Sequence, residues 1–313
     1  MMDLKVAMVG AGNMIEAHIL AFQAQENVKI VGITNRTRTK ANILAEKYGV
    51  EYVANSIKEL MDTCKPDLVV MAVYEPAITK IAREIFGYDC AVLMEKPLGL
   101  NLNEADQLVV WANARDKPVF VGLNRRAMES TRTALEDLDG RQERRFIHIQ
   151  DQQSLDKARA IGHAEVVVEN WMYANSIHLV DYAFTFGRGY VTQVKILEPW
   201  KPEAPDIVVA HITFSSGDTA LYQALWNGPG PWSCTISTFS KRWELRPLEN
   251  LQFQNYGERT INEVKFSDIF SEYKPGFLFQ AKQVCLALRG HNSTAVSAQE
   301  AVKSVQLLKR IYS

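Results

Sequence analysis

The sequence predicts an α/β protein in two parts: an N-terminal, doubly wound parallel sheet, then an α+β half built on a mostly antiparallel open sheet. Two observations carry this. As far as residue 122, short runs that are apolar at nearly every position alternate with helical patterns; strands apolar on both faces belong in a parallel sheet covered by helices. Beyond residue 123, strand-like runs follow one another through Gly or Pro turns with few helices between them, which suits antiparallel pairing. The expected domains are 1–122 and 123–313, with the C-terminal helix free to pack back on the first.

Taken in order, the first-half strands are KVAMVG (5–10), KIVGIT (29–34), DLVVMAV (67–73), CAVLM (90–94) and PVFVGL (118–123). Helical patterns occupy about 13–25, 37–48, 56–63, 76–87 and 103–115, so strand and helix alternate as right-handed crossovers require. In the second half the strand candidates include RFIHIQ (145–150), VTQVKIL (191–197), DIVVAHITF (206–214) and TALYQALW (219–226). One helix is expected over Val168 to Phe186, and two more, Phe277 to Arg289 and Ser297 to Tyr312, end the chain. No internal repeat or low-complexity tract interrupts this order.

Composition narrows the class. A chain of 313 residues, 47% hydrophobic and 23% charged, can bury one large core or two medium ones and fits no disordered, fibrous or stapled mini-protein class. Its 35 basic and 36 acidic residues give a net charge of −1, without the basic excess that nucleic-acid binding needs. Cys64, Cys90, Cys234 and Cys285 are widely separated, with no C-x-x-C pair, and read as reduced core thiols rather than a zinc site or disulfide framework. The start lacks a basic leader, and no apolar run approaches the 18 residues of a membrane span. A cytoplasmic protein with no membrane or nucleic-acid partner is expected.

Directly after the first strand comes Gly10-Ala11-Gly12-Asn13-Met14-Ile15, opening a helix at Asn13 and Met14. In such a loop the first glycine permits the tight turn and the second lets backbone approach a pyrophosphate, which the free helix amides and dipole attract. Ile15 stands at the third position of the pattern, where Gly or Ala is usual, which would set helix and strand slightly farther apart without blocking phosphate. Position inside the first βαβ unit favours dinucleotide binding over a plain strand-to-helix turn. The second strand ends Thr34-Asn35-Arg36-Thr37-Arg38. With no acid there for a ribose 2′-hydroxyl, and Arg36 beside small hydrogen-bonding side chains, NADP(H) is favoured and NAD(H) remains possible; the alternative is a solvated basic turn.

Two further segments carry chemistry. Glu95-Lys96-Pro97-Leu98 follows the strand CAVLM, at the carboxyl end where open sheets bind ligands, and Pro97 holds Lys96 extended. A lysine at a strand end is ordinarily solvated, and spacing alone does not separate that from function. Trp171, Asn175, His178 and Tyr182 are spaced 4, 3 and 4 apart and would share one helical face, with Asp181 beside them. That stripe reads as a cleft wall or as a buried histidine held by Asp181 or a backbone carbonyl.

The loop at Gly10 to Met14, Glu95-Lys96-Pro97, Asn124-Arg125-Arg126, His178-x-x-Asp181 and the late Lys274-Pro275-Gly276-Phe277 together resemble the Gfo/Idh/MocA oxidoreductases, the glucose–fructose oxidoreductase and inositol dehydrogenase family, across essentially the whole chain. The resemblance implies an N-terminal Rossmann domain, and a second domain whose sheet uses one face for oligomer contact, giving a homodimer or homotetramer. It also implies nicotinamide and substrate meeting between the domains. Lys96 would then bind substrate and relay a proton, Glu95 would help seat the nicotinamide, His178 would be the acid/base, and the bond before Pro97 would be cis. Imidazole titrates near neutral pH and suits the acid/base role.

Cofactor contacts are expected from Gly10, Gly12, Asn13, Met14, Asn35, Arg36, Val73, Tyr74, Glu95, Lys96 and Asn124, and substrate contacts from Lys96, Arg125, Trp171, Tyr173, Asn175 and His178, with no metal. Asn124 is a candidate for substrate as well. The expected activity is hydride exchange between nicotinamide and a secondary alcohol or ketone of a sugar, polyol or sugar-derived substrate. Three departures are visible. Ala174 and Ser176 stand where many members carry Asp and Gly, leaving any carboxylate relay absent or replaced by Asn175 or Tyr173. Ala72-Val73-Tyr74-Glu75-Pro76 replaces the usual Thr-Pro-rich loop, and Ile78 a common His; Tyr74 either stacks on nicotinamide or fills space. A non-catalytic dinucleotide-binding sensor or scaffold of the same fold is the competing reading. Specificity is expected in 151–175 and 226–245, where Trp226, Trp232 and Trp243 form cleft walls or an oligomer interface.

Overall fold

The computed structural model describes residues 3–230, 232–266 and 272–313. These divide into two compact units, the first formed by 3–124 with 272–302, the second by 125–266 with 303–313.

The first unit carries β1 (Leu4–Val9), β2 (Val28–Thr34), β3 (Val53–Ala54), β4 (Leu68–Met71), β5 (Ala91–Met94) and β6 (Val119–Val121), all parallel in the order β3-β2-β1-β4-β5-β6. Every residue of β4 and β5 is buried, as their unbroken apolar runs require when helices cover both faces. The connecting helices are α1 (Asn13–Gln23), α2 (Arg38–Tyr48), α3 (Ile57–Cys64), α4 (Ile78–Ile85) and α5 (Leu102–Asn113). Ser56 and Asn101 cap α3 and α5 by accepting the amides of Glu59 at 3.0 Å and Glu104 at 3.1 Å, satisfying donors a helix start leaves orphaned. The two-residue β3 escaped the sequence reading because so short a run has no periodicity.

The division differs from the expected 1–122 and 123–313 because a late segment returns. Helix α10 (Phe277–Leu288) packs on α1 and puts Phe277, Ala281, Val284 and Cys285 into the same core as Ile15, Ile19 and Phe22. Just before α11 (Ala298–Ile311), Val296 O accepts the Val121 amide at 2.9 Å; the division falls inside α11, after Val302.

The second unit is built on eight strands: β7 (Phe146–Gln153), β8 (Val191–Glu198), β9 (Ile207–Phe214), β10 (Thr219–Trp226), β11 (Ser233–Ser237), β12 (Lys241–Leu245), β13 (Leu251–Asn255) and β14 (Asn262–Val264). Their order is β14-β13-β12-β11-β7-β10-β9-β8, antiparallel except for the central β7 and β10 pair. Burial alternates along β7, β9, β10 and β11, so one face is core and the other half-exposed, as period-two side chains dictate. Helices α6 (Glu129–Leu138), α7 (Leu155–Ala160), α8 (Glu165–Glu169) and α9 (Ile177–Phe186) accompany the sheet, more helix than expected.

The single helix expected over Val168 to Phe186 is interrupted. Between α8 and α9 lies a π-helical turn, Met172–Ser176, in which the Ile177 amide reaches back to Met172 O. The turn inserts a residue into the helical count and so disperses the Trp171, Asn175, His178, Tyr182 stripe: Tyr182 is in the core, its hydroxyl 3.0 Å from Thr131 Oγ1 and its ring on Phe186. All four thiols are free, Cys90, Cys234 and Cys285 buried and Cys64 half-buried.

Candidate functional site

In the first unit, four backbone hydrogen bonds align the residues that leave the strands. Gly10 N donates to Thr34 O (2.8 Å), Ala72 N to Val9 O (3.0 Å), Glu95 N to Met71 O (2.8 Å) and Gly122 N to Met94 O (2.8 Å). Gly10, Ala72, Glu95 and Gly122 therefore form a row along the carboxyl edge, at the switch point where order reverses between β1 and β4. Gly10 has φ +117°, and a Cβ on it would lie 2.1 Å from Ala72 O and 3.2 Å from Ile15 Cγ1; Ile15, fully buried, packs where that side chain would be. Gly12, by contrast, would meet no protein atom within 4 Å.

Gly12 is also the N-cap of α1, which has no side-chain cap, so the first amides, at Asn13 and Met14, are left to an outside acceptor. An open cradle above Gly12 and an uncapped dipole fit a dinucleotide pyrophosphate. At the end of β2, Asn35 Nδ2 donates to Thr37 O at 2.9 Å and Arg36 is exposed. Val73 is half-buried; Tyr74 is 47% exposed at the head of a 3₁₀ turn.

Glu95 is only 8% exposed, and its Oε1 lies 2.8 Å from Nε2 of His18, itself 1% exposed. His18 had no sequence signal beyond its place on the buried face of α1. Lys96 is half-buried, and its bond to Pro97 is cis, as the resemblance implied. Asn124 is buried, its Nδ2 donating to Pro275 O at 2.9 Å.

In the second unit a cavity of about 170 Å³ is lined by Gln152, Gln153, Ser154, Lys157, Trp171, Asn175 and Trp232, among others. Gln153 is its buried hub: Oε1 accepts Trp171 Nε1 and Asn175 Nδ2, both at 2.8 Å, and Nε2 donates to Asp151 Oδ1 at 2.6 Å. Asp151 Oδ2 accepts the Tyr222 hydroxyl at 2.7 Å, which stands 2.8 Å from that of Tyr312. Burial pushes the Asp151 carboxyl above its ordinary value, against the hydrogen bonds from Tyr222 and Gln153.

Trp232 joins the other candidates. Its ring lies 6.1 Å from that of His178, the Arg125 guanidinium sits 5.7 Å over it, and its Nε1 donates to Gln152 O at 2.9 Å. Tyr173 lies outside the cavity lining, and burial pushes its hydroxyl above the ordinary phenol value. Asp181 is bound bidentately by Arg126 (Nε to Oδ2 2.6 Å, Nη2 to Oδ1 2.7 Å) and accepts Ser304 Oγ at 2.7 Å. Of the three tryptophans, Trp226 and Trp243 are core residues and only Trp232 lines the cavity; Pro231, in the same stretch, lies outside the described residues. Sequence reasoning quoted Arg126 without a role and did not single out Gln153 or Asp151 within the 151–175 stretch. Among the described residues no group of three or more His, Cys, Asp or Glu could hold a metal.

A family model described as an oxidoreductase family with an NAD-binding Rossmann fold, GFO_IDH_MocA, matches residues 4–123. That stretch, 120 of the 313 residues, is similar to the Gfo/Idh/MocA oxidoreductases. An uncharacterized oxidoreductase of Synechocystis is 27% identical over 120 residues, 38% of this chain, and the match spans only 32% of that curated relative. Whole-chain likeness comes from structures. A dehydrogenase from Chromobacterium violaceum superposes with TM-score 0.84 at 19% identity, covering 99% of this chain and 94% of that one. UDP-N-acetylglucosamine 3-dehydrogenase from Acidithiobacillus ferrooxidans gives 0.80 at 15% identity, with 99% and 97% covered. An oxidoreductase from Agrobacterium radiobacter, in complex with NAD+, L-tartaric acid and magnesium, gives 0.76 at 15%, with 98% and 94% covered. At these identities the likeness shows the fold, and the family match over residues 4–123 is to an NAD-binding Rossmann fold.

Proposed function

We propose that this protein is a dehydrogenase or reductase that moves hydride reversibly between a nicotinamide dinucleotide and a secondary alcohol or ketone carbon of a sugar, polyol or sugar-derived substrate. The observation that carries it is the open Gly12 cradle, two residues past Gly10, which stands in one row with Glu95, the neighbour of Lys96, at the switch point of the first sheet. When bound, the nicotinamide supplies the hydride chemistry. Lys96 hydrogen-bonds the reacting oxygen, and its charge stabilises the alkoxide that develops during reduction. His178 takes the alcohol proton on oxidation and returns it on reduction.

The second-unit cavity supports a hydroxylated substrate: aromatic walls from Trp171 and Trp232 surround the amides of Gln152 and Asn175, a mixture that suits a ring with an apolar face and hydroxyl edges. The Acidithiobacillus neighbour, a UDP-N-acetylglucosamine 3-dehydrogenase, acts on a substrate of the same class. Exposed Arg36, with no acid at the end of β2, favours NADP(H) over NAD(H). The half-exposed face of the second sheet is the surface for a homodimer or homotetramer, and the protein works in the cytoplasm.

The test is a titration with NADPH and NADH followed by nicotinamide fluorescence, then a polyol and sugar panel with the tighter cofactor. Lys96→Met and His178→Gln should each cut turnover by about a hundredfold with cofactor affinity retained. Wild-type turnover in the double variant would sink the assignment, and tight cofactor binding with no turnover would move Ala174 and the Tyr74 loop to the centre of a non-catalytic sensor reading.

A further inference from the structure

We infer that His18 is a positioning residue for the nicotinamide half of the dinucleotide, acting through Glu95. The inference rests on the dinucleotide reading above and goes beyond the loop that reading uses. A dinucleotide whose pyrophosphate lies at the head of α1 and whose adenosine ribose lies at the end of β2 must run its other half over β4 and β5, because the sheet order places these on the opposite side of β1 from β2. Glu95 leaves β5 there, level with Gly10 and Ala72.

Glu95 is not free to swing. A carboxylate only accepts hydrogen bonds, so the 2.8 Å contact at Oε1 takes a hydrogen from His18 Nε2. A Cβ on Gly122 would lie 2.8 Å from the same oxygen, so β6 closes the other side. The imidazole is fixed in turn by Phe277, whose ring lies 4.6 Å away, and by Phe22 at 6.3 Å. Phe277 stands at the start of α10, where Asn124 holds the carbonyl of Pro275. His18 therefore puts one rigid helix in charge of both ends of the ligand: the first turn of α1 faces the pyrophosphate, and a residue little more than a turn later sets the carboxylate at the far half.

The experiment compares two ligands on the whole protein, NADH and ADP-ribose, which keeps the adenosine and pyrophosphate and lacks the nicotinamide. Equilibrium binding to wild type, His18→Leu, His18→Gln and Glu95→Gln is read by calorimetry. Loss of a charge-assisted hydrogen bond should weaken NADH binding by about tenfold in His18→Leu, with ADP-ribose changed less than about twofold. His18→Gln, which keeps a donor, should recover most of the affinity, and adding Glu95→Gln to His18→Leu should cost little more than either change alone. An equal loss for both ligands, or unchanged NADH binding in both His18→Leu and Glu95→Gln, would overturn the inference. If wild type binds neither of these ligands nor NADPH the dinucleotide reading itself fails and takes the inference with it, whereas wild-type ADP-ribose binding with no gain from nicotinamide rejects the inference alone.

Discussion

The carboxamide oxygen of Gln153 accepts the indole N–H of Trp171 at 2.8 Å. An indole nitrogen only donates, so this contact settles which end of the Gln153 amide is which, and the order propagates: Nε2 points at Asp151, and Asn175 must also offer its NH₂ group to Oε1. Asn175 is itself a lining residue of the cavity. Replacing Gln153 by Leu leaves the Trp171 indole and the buried Asp151 carboxyl short of partners. At about 1–3 kcal/mol for each of these two groups left unsatisfied, the expected cost is about 2–6 kcal/mol in urea unfolding. A loss below about 0.5 kcal/mol would show that the hub does not organise the cavity.

The two loop glycines should part company. Gly10→Ala forces a side chain to within 2.1 Å of Ala72 O at φ +117° and should destabilise the first unit by about 3 kcal/mol or more. Gly12→Ala meets no protein atom within 4 Å, so thermal unfolding should stay close to wild type while dinucleotide affinity falls by about tenfold or more. Thermal shift with NADH titration checks both, and undiminished binding by Gly12→Ala would remove the cradle.

Acid should expose the Asp218 network. Burial would raise this carboxyl, but Arg188, through Nε at 2.9 Å and Nη2 at 2.8 Å, and the amides of Arg145 and Arg188 together hold it down at about 2, below the ordinary 3.8. A depressed folded value makes the native state bind fewer protons. The contribution is complete above about pH 4 and is lost as pH falls through that window to about 2. Asp218→Asn should cost about 3 kcal/mol at pH 7, and the gap to wild type should narrow as unfolding is repeated towards pH 3. A gap that stays constant would mean that the pair contributes nothing charge-specific.

Arg36→Ala should lower NADPH affinity by about tenfold or more and leave NADH unchanged, because only the 2′-phosphate gives the guanidinium an anion to bind. Unchanged NADPH binding would assign Arg36 to a solvated turn.

Much of the first half was legible because its signals are local. The apolar runs that became β1, β2, β4, β5 and β6 bury both faces and lie within a few residues of their expected bounds, and Gly10 and Gly12 announce a tight turn before a helix. The cavity in the second unit was only half legible. Trp171 and Asn175 came from helical spacing and do meet, but on Gln153, a residue from β7 that is 18 and 22 positions earlier, and no spacing rule links a strand glutamine to a later helix. The π turn was invisible because a one-residue insertion leaves apolar periodicity almost intact over so short a span. His18 escaped for a related reason: its partners Glu95 and Phe277 are brought to it by sheet order and by the return of α10, not by neighbourhood in the chain.

The discontinuity of the first unit bears on how the protein is born. On the ribosome, β1 to β6 emerge long before α10, so the α1 face carrying Ile19 and Phe22 stays uncovered while the second unit is being made, an interval of about 8–30 seconds at about 5–20 residues per second. The contact of Phe277 with His18 forms only when residues 272–302 are out, so the setting of the Glu95 carboxylate is among the last features the nascent chain acquires. Tyr312 completes the Asp151 and Tyr222 pair later still. Neither unit is finished before its last strip of chain arrives, and a ribosome stalled near residue 270 would leave both with open cores for chaperones to guard.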